Sequence, residues 1–405
     1  MPPHRLGAIV LVALLVSPAG AIAQTLPAGP IRAMDGQLLV NGEAVASIAA
    51  DDDVAFFNYT DYEHNALRLF RISVSGAWQP ARRLAFVGEV RSEDLERPHA
   101  YAAYVRVRPW IEREFDLQIG RIPPTFGVFS RRAYTTDNPV IGYPLAYQYL
   151  TSIHPDAVPA TAEDLTRMRA RGWLSTFPVG NTTPGPGVPL VTAFRWDTGI
   201  QAHWHAGIVD TAGAVTSGTL SDPHAADNNH SPQVSGRVSL EPAVGLVLGA
   251  SAARGAWLSR DVAQILPGDR EASHYTQEAL GADAEYSRNH WLIRSELVLS
   301  RWRLPFATTA PDGVDLDALA VWVEGRYKLT PRVSLGFRVD RLGFSDVTTT
   351  AATLPWDGPI NRAEAAVSYA IQRNLTARFG VQKNDREAGR VRRRVYLAGQ
   401  LAYWF

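Results

Sequence analysis

From Arg68 onward the chain repeats one pattern, and that pattern leaves few folds open. In Arg68–Trp78, the residues Phe70, Ile72, Val74, Gly76 and Trp78 alternate with Arg71, Ser73 and Ser75. A strand sends successive side chains to opposite faces, so one face here is apolar and the other polar. The alternation returns at Tyr101–Arg108, where Tyr101, Ala103, Val105 and Val107 oppose Tyr104, Arg106 and Arg108. It returns at Leu319–Lys328, Val333–Asp340 and Leu375–Gln382. These segments run roughly 8–12 residues, close to the ~9–11 that cross a bilayer at a tilt. Strands of soluble sheets average only about 5–6.

The rest of the chain narrows the choice. His4 and Arg5 precede an apolar run from Leu6 to Val16 and the small-residue site Ala21-Ile22-Ala23. Residues 1–23 therefore read as a signal peptide, with cleavage before Gln24 and export of the remainder. There is no cysteine and the formal net charge is +0. An exported chain without disulfides needs a large core or a membrane to hold it, and neutrality points to no nucleic-acid partner. No later stretch has the length of apolar sequence that a spanning helix requires. A closed barrel remains, because it also satisfies every backbone hydrogen bond internally.

Short polar turns such as Glu241–Val244, Ser287–His290 and Gln372–Asn374 alternate with longer segments such as Ser221–Ser231, Leu304–Asp315 and Gly343–Pro359. That asymmetry predicts an all-β, antiparallel up-and-down transmembrane barrel of about 16 strands. Counted from Val54, the barrel covers residues 54–405 and leaves 24–53 as a periplasmic N-terminal segment. Aromatic residues near strand ends (Trp78, Trp110, Tyr286, Trp291, Trp302, Tyr327) read as membrane-interface girdles. The final strand ends Leu401-Ala-Tyr-Trp-Phe405. Tyr403 and Phe405 face lipid there, at a seam that leaves no open edge.

One connection is too long to be a simple loop. Ile122 to Arg195 offers no convincing strand pair, yet Tyr134, Tyr143, Tyr147 and Tyr149 make it too aromatic for disorder. Within it, Thr161-Ala-Glu-Asp164 reads as a capped helix start, with Arg167 and Arg171 one turn apart. Counted along the barrel this is the third outer loop. Folded inward with its short helix, it narrows the lumen at a constriction built from Arg121, Arg131, Arg132, Tyr134, Arg167 and Arg171.

The alternation also gives the lumen lining: Arg71, Glu89, Arg106, Arg108, Asp116, Arg294, Glu296, Glu324, Arg326, Arg338, Asp340, Arg362, Glu364 and Arg378. A charged interior suits a water-filled channel and not a dry core. Most of these charges pair across strands as wall braces, and a few near the constriction bias ion passage towards anions. Lysine occurs only at Lys328 and Lys383, so 38 of the 40 basic residues are arginine.

His203-Trp-His205 puts two histidines on one strand face, a thin case for metal without further ligands. There is no Gly-x-Ser-x-Gly elbow, Walker loop or His-Glu-x-x-His. Such absences leave no catalytic residue, metal or cofactor to name. An enzyme on a barrel (lipase- or protease-like) would need a Ser/His/Asp cluster at one rim, with His154, His203, His205 and His274 as the histidines to inspect. A secreted soluble β-protein would need partners for its outward apolar faces.

The stretch Leu117-Gln-Ile-Gly-Arg-Ile-Pro-Pro-Thr-Phe-Gly127 resembles a segment of the bacterial phosphate-selective porins O and P. The terminal Phe405 resembles outer-membrane barrels generally. The resemblance implies a sixteen-stranded homotrimeric anion channel in outer-membrane lipid, passing small hydrophilic or anionic solutes. It also implies that the terminal aromatic residues Tyr403 and Phe405 form part of the signal read by the outer-membrane insertion machinery. The phosphate ladder of those porins is rich in lysine. Arg121, Arg131 and Arg132 are its nearest counterparts here.

Overall fold

The computed structural model describes residues 27, 29–170, 177, 179–268 and 270–405. Residues 1–23, expected to be a signal peptide, and Arg171 lie outside the described residues.

Sixteen strands form the wall of a closed antiparallel barrel. They are β1 (Leu38–Ala49), β2 (Phe70–Ala81), β3 (Leu84–Glu93), β4 (His99–Val107), β5 (Phe115–Ile122) and β6 (Asp197–Ala206). Next come β7 (Val209–Thr216), β8 (Gln233–Ala243), β9 (Leu246–Ala256), β10 (Thr276–Arg288) and β11 (Trp291–Phe306). The last five are β12 (Ala310–Lys328), β13 (Val333–Phe344), β14 (Ile360–Gln372), β15 (Leu375–Arg386) and β16 (Arg393–Trp404). Each pairs with its sequence neighbours, and β16 closes on β1 through Glu43↔Trp404 to Ala49↔Ala398. Tight turns join the strands at one end. At the other, the loops 50–69, 123–196, 217–232, 257–275 and 345–359 are long.

The first strand corrects the sequence boundary at Val54. Leu38–Ala49 is part of the wall and not of a periplasmic segment, and residues 54–69 belong to the first outer loop instead. The outward face of this strand carries the small residues Gly42, Ala44 and Ala46 and the inward face carries Leu39 and Val45, so the alternation is weak. The space at Gly42 explains one of them. A Cβ there would lie 2.3 Å from the ring of Phe405. Reciprocal backbone hydrogen bonds join Gly42 and Phe405 at 3.1 and 3.0 Å. The last residue therefore lies against the first strand rather than fraying.

Leu304–Asp315, which reads as a loop, is also strand: β11 and β12 form a long hairpin with its turn at 307–309. Trp302 accordingly leaves the girdle. It points inward, fully buried, with its ring 6.0 Å from that of Trp356. The outward aromatic belt gathers at the tight-turn end, where Trp78 stacks on Phe86, Trp110 meets Phe115 and Trp291 meets Tyr327. Above it the outer face is bare apolar surface, with Ile48 73% exposed, Phe379 69% and Leu397 74%. Water-soluble surfaces do not tolerate a continuous belt of this kind, whereas lipid requires one.

Candidate functional site: the inserted third loop and its side chambers

The wall supplies an inward ring of alternating charge. Register places Glu285, Arg294, Glu324, Arg338 and Glu364 side by side on β10 to β14. Arg294 reaches Glu285 at 3.0 Å and Glu324 at 3.4 Å, and Arg338 reaches Glu324 at 2.6 Å and Glu364 at 3.5 Å. Cross-strand neighbours of opposite sign stabilise a sheet, and inside a barrel they also remove net charge from the wall. Arg71 pairs likewise with Glu43 at 3.1 Å. Arg362 donates to Asn384 Oδ1, Gln148 Oε1 and the carbonyls of Phe57 and Tyr143.

The third loop lies against these groups. Its backbone and tyrosines meet the wall strand by strand. Thr125 Oγ1 contacts Ser235 Oγ on β8, and Ser251 Oγ on β9 accepts from Gly127 N at 3.1 Å. Arg132 pairs with Glu285 on β10. Glu296 on β11 accepts from Val128 N at 3.1 Å and from the Tyr147 hydroxyl at 2.7 Å. Arg338 on β13 donates to Gly142 O at 2.7 Å, and Glu364 on β14 accepts from Gly142 N at 3.2 Å. Arg378 on β15 donates to Val140 O at 3.1 Å. Glu43 on β1 accepts from Thr135 N at 2.9 Å, Arg71 on β2 donates to the Tyr143 hydroxyl at 3.0 Å, and Tyr134 donates to Glu89 on β3 at 2.6 Å. Residues 125–148 thus cross the lumen and are tied to its far sides. The Pro-Pro-Thr-Phe-Gly turn makes this possible. Gly127 has φ +68, and a Cβ there would meet the Tyr147 hydroxyl at 2.3 Å and Glu296 at 2.5 Å.

The short helix is not part of the inserted segment. Ala162–Arg167 forms with the Thr161–Asp164 capping box in place. Glu163 accepts from Thr350 N in the outer loop 345–359. Arg167 pairs with Asp164 at 3.4 Å with its side chain 76% exposed. It lies at the outer rim rather than at a constriction, because the helix packs on neighbouring loops and not down the lumen.

One sector of the wall is free of the inserted segment. The lumen holds two chambers, the outer beside β2 to β5 and the inner beside β4 to β6. The outer, about 480 Å³, is lined by Arg71, Arg97, Arg121 and Arg195, by His64, His99 and His224, and by four carboxylates. The inner, about 450 Å³, lies between Arg106, Arg108, Asp116, Gln118, Gln201 and His203 on the wall and Arg131, Tyr134 and Trp196 on the loop. Residues 194–196 are the partition: Phe194 and Arg195 face the outer chamber, and Trp196 the inner. Beside it Arg91 stacks on Tyr101 at 3.2 Å and lies 5.0 Å from the Tyr134 ring.

The alternation assigns Tyr101 to the lipid face, and here the structure differs. A bulge between Glu89 and Val90 leaves Tyr101 opposite no residue of β3 and turns it inward, buried, with its hydroxyl donating to Ala193 O at 2.7 Å. An extra residue in one strand reverses the facing of the residues beyond it, and no composition signal announces it. Among the described residues, Arg106, Arg108, Arg121, Arg131, Arg326 and Arg378 reach no carboxylate within 4.0 Å.

The histidines divide. His154 bonds Gly185 O at 2.8 Å, and His274 bonds Asp312 O at 3.0 Å. His203 lies between Asp210 at 2.7 Å and Asp116 at 3.5 Å, and His205 is 3.7 Å from Asp210 and 3.6 Å from Glu114. None of these contacts is with a serine hydroxyl. Among the described residues, no three groups converge as metal ligands.

No family model matches the sequence, and no curated protein matches it. Solved structures do match in shape. The outer-membrane expressed OmpT of Vibrio cholerae gives a TM-score of 0.54 at 11% identity, covering 93% of this chain and 100% of its own. The outer membrane channel DcaP of Acinetobacter baumannii gives 0.53 at 11%, covering 93% and 99%. An anion-selective porin from Comamonas acidovorans gives 0.52 at 8%, covering 91% and 99%. The barrel has a porin fold. At these identities the likeness is one of fold, and the similarity to porins O and P rests on the residues that carried it.

Proposed function

We propose that the chain is an outer-membrane porin, a passive channel for small hydrophilic solutes with a modest preference for anions, exported on its signal peptide. The observation that carries this is the division of the lumen. The inserted loop is tied to the wall from β8 round to β3 and leaves one off-axis sector along β4 to β7. That sector is hydrated in character, while the outward face is apolar. Its arginines Arg106, Arg108, Arg121 and Arg131 have no carboxylate partner, whereas the wall charges elsewhere are largely neutralised. Unpaired fixed cations along a narrow path concentrate anions and repel cations. No chemistry is performed, and no cofactor is needed. The porin neighbours support a homotrimer as the working unit, and the seam residues Tyr403 and Phe405 support recognition by the insertion machinery.

The test is reconstitution of purified protein into planar bilayers. Stepwise conductance, with a reversal potential displaced towards the anion under a salt gradient, is the expected result. Stable insertion without conductance would reject the channel.

A further inference from the structure

The outward face of the barrel carries a collar of polar side chains where the apolar belt ends towards the long loops. On β9 to β12 the charges of this collar are paired. Arg254 meets Glu278 at 3.3 Å, Arg301 meets Asp317 at 2.6 Å and Arg303 meets Asp315 at 3.7 Å. Further round, Asp385 on β15 pairs with Arg393 on β16 at 3.1 Å. Between these pairs stand Arg341 on β13 and Lys383 on β15, both exposed. Among the described residues, neither makes a side-chain hydrogen bond or reaches a carboxylate within 4.0 Å. Lys383 is one of only two lysines in the chain. Register sets Arg341 opposite Asn361 on β14. It sets Lys383 opposite Ala363, one step deeper and level with Val339. A charge at that depth has lipid on its flanks, and without a counter-charge it is costly.

Both cations border one groove, of about 590 Å³, in this outward surface. Its floor is Val321, Val323, Val339 and Ala363, and the small Ala363 leaves a dip between Val339 and Lys383. Asp385 also lines it but is held by Arg393. Asp340 and Arg362 lie beneath it, buried, with their side chains on the lumen face. Two strand spacings separate β13 from β15, about 10 Å, so both long side chains can reach one head group. A second outward groove, about 740 Å³, gives the contrast. It sets Val234, Leu280 and Leu299 beside Arg254, Glu278 and Arg301, and its charges are the ones already paired. Apolar surface is common to both grooves, whereas free cations mark only the first. An apolar floor under unpaired cations matches an amphiphile with an anionic head. We propose that the groove over β12 to β15 seats a phosphorylated lipid of the outer leaflet, with an acyl chain along Val321, Val323 and Val339 and the phosphate on Arg341 and Lys383. The site goes beyond the channel reading and needs only the barrel in its membrane.

The test is native mass spectrometry of the delipidated full chain in detergent, with dioleoylphosphatidate, dioleoylphosphatidylcholine and inorganic phosphate as probes. Heat-modifiable gel mobility is the folding control. Phosphatidate should bind at least about tenfold more tightly than phosphatidylcholine, which has the same chains and no net charge. Inorganic phosphate should not displace it, because it lacks the chains. Arg341→Gln combined with Lys383→Gln should abolish the preference. Arg254→Gln combined with Arg301→Gln removes the same charge beside the second groove and should leave the preference in place. Equal binding of the two lipids overturns the proposal, as does a preference that survives the first pair of substitutions or is lost equally in the second. Displacement by inorganic phosphate overturns it too and assigns the cations to free anions. A change of oligomeric state in the first pair without lipid preference makes the groove a contact between copies instead. The wild-type comparison of lipids stands even if a variant fails to fold. Stable insertion without conductance rejects the channel and leaves this site standing, and conductance without lipid preference does the reverse.

Discussion

Replacing Arg338 with methionine tests whether the inserted loop is held by the wall charges. Arg338 is fully buried, with donors on Glu324 at 2.6 and 3.1 Å, on Gly142 O at 2.7 Å and on Asn138 Oδ1 at 3.4 Å. Methionine fills a similar volume but leaves Glu324 with Arg294 alone, Glu364 with only the Gly142 amide, and Gly142 O without a donor. Removing one partner of a buried ion pair costs about 3–5 kcal/mol, because the remaining charge stays uncompensated. Water can enter a lumen once it loosens, so the lower end, about 3 kcal/mol, applies here. Most of that cost falls on the state with the loop in place, since withdrawing the loop lets water reach both glutamates. The opening equilibrium of residues 136–148 should then rise about a hundredfold. Hydrogen exchange of those amides reads this directly, with the β13 and β14 ladder amides as the unchanged reference. Adding Glu324→Gln should recover part of the protection, since it removes the stranded charge. Exchange of 136–148 within about twofold of wild type would refute the argument that these charges anchor the loop.

The same geometry gives other expectations. Arg131→Ala should move the reversal potential towards cations, and Arg132→Ala should do so as well by releasing Glu285 into the lumen; an unmoved potential in both removes them from the ion path. Gly42→Val should lower the membrane-inserted fraction severalfold, because its side chain would occupy the space of the Phe405 ring; a heat-modifiable gel of membrane fractions measures it, and normal levels would show that the ring is not needed at the seam. His64 in the first outer loop is pushed up to about 9 from 6.5, chiefly by its hydrogen bond to Asp61. A group raised on folding stabilises below its unfolded value and loses that stabilisation as pH climbs through the folded one. The protection factors of residues 60–66, with the intrinsic base-catalysed exchange divided out, should therefore fall about tenfold between pH 6 and pH 10, and Asp61→Asn should flatten that fall.

Much of the wall was legible because lipid and lumen ask opposite things of alternate residues. Arg71, Glu324, Arg338 and Arg362 sit inward as the period-two pattern assigns them. The pattern failed where a single extra residue shifts the facing, as at the bulge that turns Tyr101 inward. It failed again where small residues blur the contrast, as in Leu38–Ala49. It also could not tell an extended hairpin from a loop at Leu304–Asp315. The loop was visible as a length and a composition, but its partners were not. Gly142 meets Arg338 and Glu364 across roughly half the chain, and nothing local records such a pairing. Arg167 was misplaced for a related reason: a capped helix can be read from four residues, whereas the surface it rests on cannot. Asp197 and Asp357 show the same limit, since no neighbouring residue announces their contacts. The two aspartates prove to be loop anchors, Asp197 accepting from Gly218 N and His224 N, and Asp357 from Ser152 N and Ala170 N.

The stitching of the third loop has a consequence for the order of assembly. Thr135 is bonded to Glu43, and Glu43 lies on the strand that meets β16 at the final seam. A ring that has already shut would have to admit residues 125–148, with their buried tyrosines, through its own mouth. The loop must instead be laid across an open sheet, with β1 arriving over it as the last stave set round a filled cask.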